Sequence, residues 1–135
     1  VIDTNISNCH VRTLVVDDHK EWRQNICSIL AAQPELEVIG EASDGLEAVQ
    51  KAAGLKPDLI LLDIGLPGLN GIEVARRICQ QSLGVKILFV SGNNDPDLIR
   101  KALSNGAQGY VLKVDVSTKL LPALKEILRG DPATG

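Results

Sequence analysis

The sequence predicts an α/β protein in which a parallel sheet is covered by helices on both faces. Two observations carry this prediction. Five short runs, Thr13–Val16, Leu36–Ile39, Leu59–Leu62, Lys86–Val90 and Gly109–Leu112, are rich in Val, Ile and Leu without polar alternation. That is the pattern of strands buried on both sides. Each run is followed by a stretch whose apolar residues recur at helical spacing. A strict β-α alternation of this kind demands right-handed crossovers that place helices on the two faces of one sheet.

The elements follow in order. Trp22, Ile26, Ile29 and Leu30 share one face of a first helix; Leu46, Val49 and Ala53 do so in a second, and Ile72, Ala75 and Cys79 in a third. Leu98, Ala102 and Leu103 mark a fourth helix, and Leu120, Leu124, Ile127 and Leu128 a fifth. Asp95-Pro96 reads as an N-cap with proline in the first helical position, and Gly106 as the residue that ends that helix. Ser117 is a candidate cap for the last helix, which would put Pro122 awkwardly close to its first turn.

With 135 residues the chain is the size of one domain. The folded part is expected over residues 12–130, with 1–11 and 131–135 as disordered or loose tails. Apolar residues make up 44% of the chain, yet no run approaches the roughly 20 residues of a membrane span. The segment Val1–His10 lacks the apolar stretch of a signal peptide. The chain opens on Val1 rather than Met, as expected of a processed or excised fragment. A net charge of −3 with dispersed Lys and Arg leaves no basic footprint for nucleic acid. Cys9, Cys27 and Cys79 form no CxxC pair, and the latter two read as small buried hydrophobes. A reducing, cytoplasmic setting is expected.

In a parallel sheet of this class, ligands bind outside the carboxyl ends of the strands. The first strand ends on Asp17-Asp18, the third on Asp63, the fourth on Ser91 and the fifth on Lys113. Taken singly, an Asp after a strand is a turn former or a helix cap, and Asp18 could cap the first helix. Three carboxylates, a hydroxyl and an ammonium at one rim ask for a shared explanation. Close carboxylates repel unless a cation sits among them, and hard acidic oxygens suit Mg²⁺. An exposed carboxylate such as Asp63 can act as a nucleophile toward phosphorus. Lys113 and the metal would neutralise charge on the transferring oxygens, and Ser91 could donate to the same group.

These residues resemble the response regulator receiver family over roughly Arg12 to Gly130. Val15-Val16-Asp17-Asp18-His19 looks like the acidic end of its first strand. Leu59–Asp63 with Leu66-Pro67-Gly68-Leu69-Asn70-Gly71 looks like its phosphoacceptor loop. Val90-Ser91-Gly92 resembles its switch-hydroxyl segment, and Gly106–Lys113 its fifth-strand signature. The Asp-Asp-His start and the run Val38–Gly45 look most like regulators that carry a helix-turn-helix output domain.

The resemblance implies a flavodoxin-like doubly wound sheet in the order 2-1-3-4-5, with five helices in three layers. It also implies that Asp63 accepts a phosphoryl group from a histidine kinase or phosphotransfer protein, making the chain a self-phosphorylating switch rather than a turnover enzyme. Asp18 and Asp63 would bind Mg²⁺ directly, Asp17 through a metal-bound water, and Gly65 through its carbonyl. Ser91 and Lys113 would contact the phosphoryl group, and Tyr110 would follow Ser91 as the switch aromatic. A homodimer on phosphorylation is expected; DNA would be reached only through an output domain absent from this chain, and no membrane contact is expected. Trp22 reads as core packing, with kinase docking as the alternative.

Two departures stand out. Val114 follows Lys113 where the family often has a proline joined by a cis bond; a cis bond to Val would cost about 3–4 kcal/mol. Gly65 lacks the side chain that tunes phosphoryl lifetime in other members. The competing reading is a receiver-like interaction module that is not phosphorylated. A dehalogenase-class phosphatase would need a second Asp at position 65, and a flavin module would need Ser/Thr-rich loops.

Overall fold

Successive side chains of a strand point to opposite faces, so a strand apolar at every position needs a cover on each side. The computed structural model, which describes residues 10–82 and 84–129, supplies both covers. The elements are β1 (Val11–Val16), α1 (Lys20–Ala31), β2 (Leu36–Ala42), α2 (Gly45–Leu55), β3 (Leu59–Leu62), α3 (Gly71–Gln81), β4 (Lys86–Ser91), α4 (Pro96–Ser104) and β5 (Gly109–Leu112). A 3-10 turn, Lys113–Asp115, then leads into α5 (Val116–Arg129). The sheet is parallel throughout in the order β2-β1-β3-β4-β5. This is the expected doubly wound, flavodoxin-like arrangement. Most of the expected tails, residues 1–9 and 131–135, lie outside the described residues, but Val11, expected in the N-terminal tail, begins β1 and donates its amide to the Glu35 carbonyl at 2.8 Å.

Each strand feeds two cores. Leu14, Val16, Ile60, Leu62, Ile87 and Phe89 pack with Ala48 and Ala52 of α2, Val74, Ala75 and Ile78 of α3, and Ala102 of α4. Their neighbours Val15, Leu59, Leu61, Leu88, Val90 and Val111 face the other way, onto Ile26 and Leu30 of α1 and Leu120 and Leu124 of α5. The result is three layers, with α1 and α5 on one side and α2, α3 and α4 on the other. No helix among the described residues is long and apolar enough to cross a membrane.

Several local expectations need correction. β2 runs on through Gly40-Glu41-Ala42, beyond the expected end at Ile39. As an edge strand it is only partly covered, so it tolerates polar residues that a purely apolar criterion rejects. Its register against β1 shifts between Thr13 and Leu14, leaving Ile39 as the extra residue. In α2 the buried face is Gly45, Ala48 and Ala52, whereas Leu46 is 58% exposed. The helix docks closely on its neighbours, so its small residues face inward. Leu103 of α4 is likewise exposed.

At the last helix, Ser117 lies inside α5 rather than capping it, and Pro122 sits within the helix. The carbonyl that loses its partner there belongs to Thr118, which is exposed to water. Other caps agree with their sequence signals. Asp95 accepts from the Asp97 amide at 3.0 Å, with Pro96 in the first turn. Gly106, at φ +104°, follows the end of α4.

Candidate functional site

The connections from β1 and β3 leave the sheet on opposite faces, opening a crevice at their carboxyl ends. Backbone ladders aim the acids into it. The Asp17 amide donates to the Ala42 carbonyl at 3.0 Å, and the Asp63 amide to the Val16 carbonyl at 3.1 Å. Both carboxylates therefore sit one residue past the buried ends of central strands. Gly71 at the start of α3 is needed for the same reason. A Cβ there would come within 2.2 Å of the Asp63 carbonyl oxygen, so only glycine lets α3 approach the acid.

Asp17, Asp18 and Asp63 converge with His19: one ligand atom from each lies within 4.8 Å of all the others. Asp18 does not cap α1, because the N-cap is His19 and no side chain caps that terminus. Asp17 is instead the acid that accepts from the His19 amide, at 2.9 Å. Asp18 Oδ1 is a buried atom without a hydrogen bond. The His19 Nδ1 lies 3.2 Å from it, but not in hydrogen-bonding geometry. Three hard carboxylates with one buried, unpartnered oxygen fit a divalent cation of the Mg²⁺ class.

Lys113 reaches the cluster from the end of β5. Its Nζ lies 2.8 Å from Asp17 Oδ2 and 3.2 Å from Asp63 Oδ2. The lysine is 11% exposed, Asp17 5% and Asp63 7%, so this is a nearly buried triad, and Asp63 is not the exposed carboxylate that the sequence suggests. Burial pulls the Lys113 pKa down, but bonding to Asp17 and the charges of Asp63 and Asp17 outweigh it and hold the pKa above its ordinary value. The Lys113–Val114 bond is trans, as is every peptide bond described. The loop is therefore built without the family's cis junction: a 3-10 turn follows β5, and Val114 is left 85% exposed.

Above the triad opens a pocket of about 460 Å³, lined in part by His19, Trp22, Asp63, Gly65, Ser91 and Lys113. Gly65 donates its amide to Asp63 Oδ1 across 3.4 Å, and a Cβ at Gly65 would meet only open space. Ser91 is buried at the end of β4 and accepts from the Asn93 amide at 3.2 Å. Tyr110 stacks obliquely on Phe89, with ring centroids 6.0 Å apart, and donates its hydroxyl to the Asn93 carbonyl at 2.7 Å. Burial pushes the Tyr110 phenol pKa up, the Ser91 hydroxyl pulls it back, and the Asp63 charge adds to the rise.

All the side chains expected at the rim are brought together there, with Tyr110 close to Ser91 and also tied to the Asn93 carbonyl. Sequence reasoning missed two participants. His19 was read only as part of a motif, although its place beside two acids was a usable signal. Asn93 acts through its backbone, which leaves no trace in side-chain chemistry. Trp22 is half-buried: it packs against the α1–α5 core and also turns its ring toward Lys113, 5.2 Å from Nζ to centroid.

Comparison with known proteins agrees with this geometry. A family model described as the response regulator receiver domain matches residues 13–125. The transcriptional regulatory protein LiaR of Bacillus subtilis is 38% identical over 122 residues, covering 90% of this chain and 58% of LiaR. The nitrate/nitrite response regulator protein NarL of Escherichia coli is 37% identical over 118 residues, covering 87% of this chain and 55% of NarL. The chain thus spans somewhat over half the length of these relatives. Among solved structures, the response regulator domain of Thermotoga maritima CheB superposes with a TM-score of 0.82 at 34% identity, covering 91% of this chain and 99% of that one. A LuxR-family two-component response regulator from Aurantimonas gives 0.85 at 33% identity, covering 90% and 86%.

Proposed function

The chain belongs to the response regulator receiver family, whose members are phospho-accepting switches rather than turnover enzymes, and on that premise we propose that Asp63 is the phosphoacceptor. The donor is a phosphohistidine on a sensor kinase or phosphotransfer protein. A carboxylate oxygen of Asp63 forms the new O–P bond as the N–P bond breaks, and the electron pair of that bond leaves on the imidazole nitrogen. The observation that carries this reading is the placement of Lys113 against both Asp63 and Asp17 at the floor of an open pocket.

Little covalent chemistry is asked of the protein; it must position the groups and neutralise charge. Lys113 supplies one positive charge beside the accepting carboxylate. The hydroxyl of Ser91, whose proton is not used in its contact with Asn93, is at hand to donate to a phosphoryl oxygen. Asp18, Asp63, the Gly65 carbonyl and, through a water, Asp17 would hold Mg²⁺, which when bound adds the remaining charge neutralisation.

The readout runs through Asn93. Its amide is tied to Ser91 and its carbonyl to Tyr110, so a Ser91 drawn toward a phosphoryl group pulls on the peptide that anchors Tyr110. The face formed by α4, β5 and α5 changes with it, offering a surface for a partner or a second copy of this chain. The names of the relatives support a transcriptional output delivered by a further domain.

The test is intact mass and Trp22 fluorescence after incubation with acetyl phosphate or beryllofluoride. A Mg²⁺-dependent gain of one phosphoryl group that disappears in Asp63→Ala is the expected result. No response of the wild type by either readout would replace this reading with that of an unphosphorylated interaction module.

A further inference from the structure

The single tryptophan of the chain does more than fill a core. Trp22 sits on α1, not on any of the strands that carry the acids, yet its ring centroid is 5.2 Å from the Lys113 ammonium and its side chain forms part of the pocket wall. The ammonium has three N–H donors. Asp17 and Asp63 take up two directions, at 2.8 and 3.2 Å. An aromatic face attracts a cation through its quadrupole and needs no hydrogen bond to do so.

From this we infer that Trp22 is the positioning residue for Lys113: it holds the ammonium over the acids while leaving its third donor free for an incoming phosphoryl oxygen. The inference rests on the phosphoacceptor reading above and adds a specific residue to it. A third carboxylate or a carbonyl in Trp22's place would also hold the lysine, but it would compete for that donor. The polar alternatives in the vicinity are engaged elsewhere: the Asn93 amide and carbonyl go to Ser91 and Tyr110, and His19 lies against Asp17 and Asp18. The ring is thus the contact that steadies Lys113 from outside the acidic cluster.

Because Trp22 also packs against the α1–α5 core, truncating it could unfold the chain for reasons unrelated to Lys113. The decisive series therefore replaces Trp22 with mono-, di- and trifluorotryptophan, which is practicable because no other tryptophan is present. Fluorination drains the π-face while barely changing ring size. The measured quantity is the initial rate of phosphoryl gain from acetyl phosphate with Mg²⁺, by intact mass, alongside the urea midpoint. A second readout is the proton shift of the Lys113 ε-methylene, which the ring current moves upfield.

The expected result is a graded loss of rate, reaching about five-fold in the most fluorinated protein, at an unchanged urea midpoint. Trp22→Phe should keep an intermediate rate, and Trp22→Leu should lose both the rate and the upfield shift. A wild type that is phosphorylated on Asp63 with a flat fluorination series would overturn the role given to Trp22 and leave the phosphoacceptor reading intact. A wild type that gains no phosphoryl group at all would overturn both.

Discussion

Asp18→Asn is expected to stabilise the metal-free protein while removing most of its response to Mg²⁺. The ligand oxygens of Asp18, Asp17 and Asp63 lie within 4.8 Å of one another. At that separation two unit charges repel by about 3.5 kcal/mol at an effective dielectric near 20, and by about 0.9 kcal/mol in water. Asp18 keeps 29% of its side chain exposed, so the water-like end of the range is the better guide. Lys113 contacts Asp17 and Asp63 but not Asp18, which makes Asp18 the poorly compensated member. Losing its charge should therefore contribute about 1–3 kcal/mol of stability in EDTA. The assay is urea unfolding followed by Trp22 fluorescence at pH 8. With a slope of about 1.5 kcal/mol/M, the midpoint should rise by roughly 0.7–2 M. Added Mg²⁺ should raise the wild-type midpoint, because it binds the folded state alone, and move the variant much less. An unchanged or lower midpoint for Asp18→Asn in EDTA, at equal slope, would refute the view that uncompensated like charge is held in this cluster.

Other perturbations separate close packing, switching and thiol chemistry. Gly71→Ala must displace α3 or the Asp63 backbone, since its Cβ would meet the Asp63 oxygen at 2.2 Å and the Ile64 Cα at 2.7 Å; a loss of about 3 kcal/mol or more by urea unfolding is expected. Gly65→Ala, facing open space, should change stability by less than about 0.5 kcal/mol, while the decay of the phosphorylated form by intact mass shows whether a side chain there alters its lifetime. Tyr110→Phe removes the hydroxyl bond to Asn93 at 2.7 Å and should cost about 1 kcal/mol, and self-association measured with and without beryllofluoride should lose part of its difference. Burial, reinforced by Glu41, pushes the Cys27 thiol from its ordinary 9.0 to about 11. At pH 8 the thiolate fraction then falls about a hundredfold, so in a Cys9→Ser/Cys79→Ser protein iodoacetamide should react slowly, its rate climbing until pH nears that value; a rate equal to that of a free thiol would contradict the burial.

Local chemistry was enough to determine much of this protein. A strand covered on both faces must be apolar at every position, so β1, β3, β4 and β5 were legible to within two residues. In a parallel sheet the ends of the strands share one rim, so Asp17, Asp18, Asp63, Ser91 and Lys113 could be assigned to it without coordinates. What escaped depends on partners distant in the chain. The inward face of α2 was misread because burial there follows how closely the helix docks, not how hydrophobic each residue is; Leu46 is left outside and Ala48 and Ala52 go in. The end of β2 escaped because an edge strand does not need an apolar residue at every position. The trans Lys113–Val114 bond and the 3-10 turn follow from how β5 must enter α5. The pairing of Lys113 with Asp17 and Asp63, the bridge through Asn93, and the Trp22 ring beside Lys113 exist only because separate elements end in the same crevice. Sequence patterns report what each residue requires of its surroundings; which residues meet those requirements is decided by the packing of the sheet and helices.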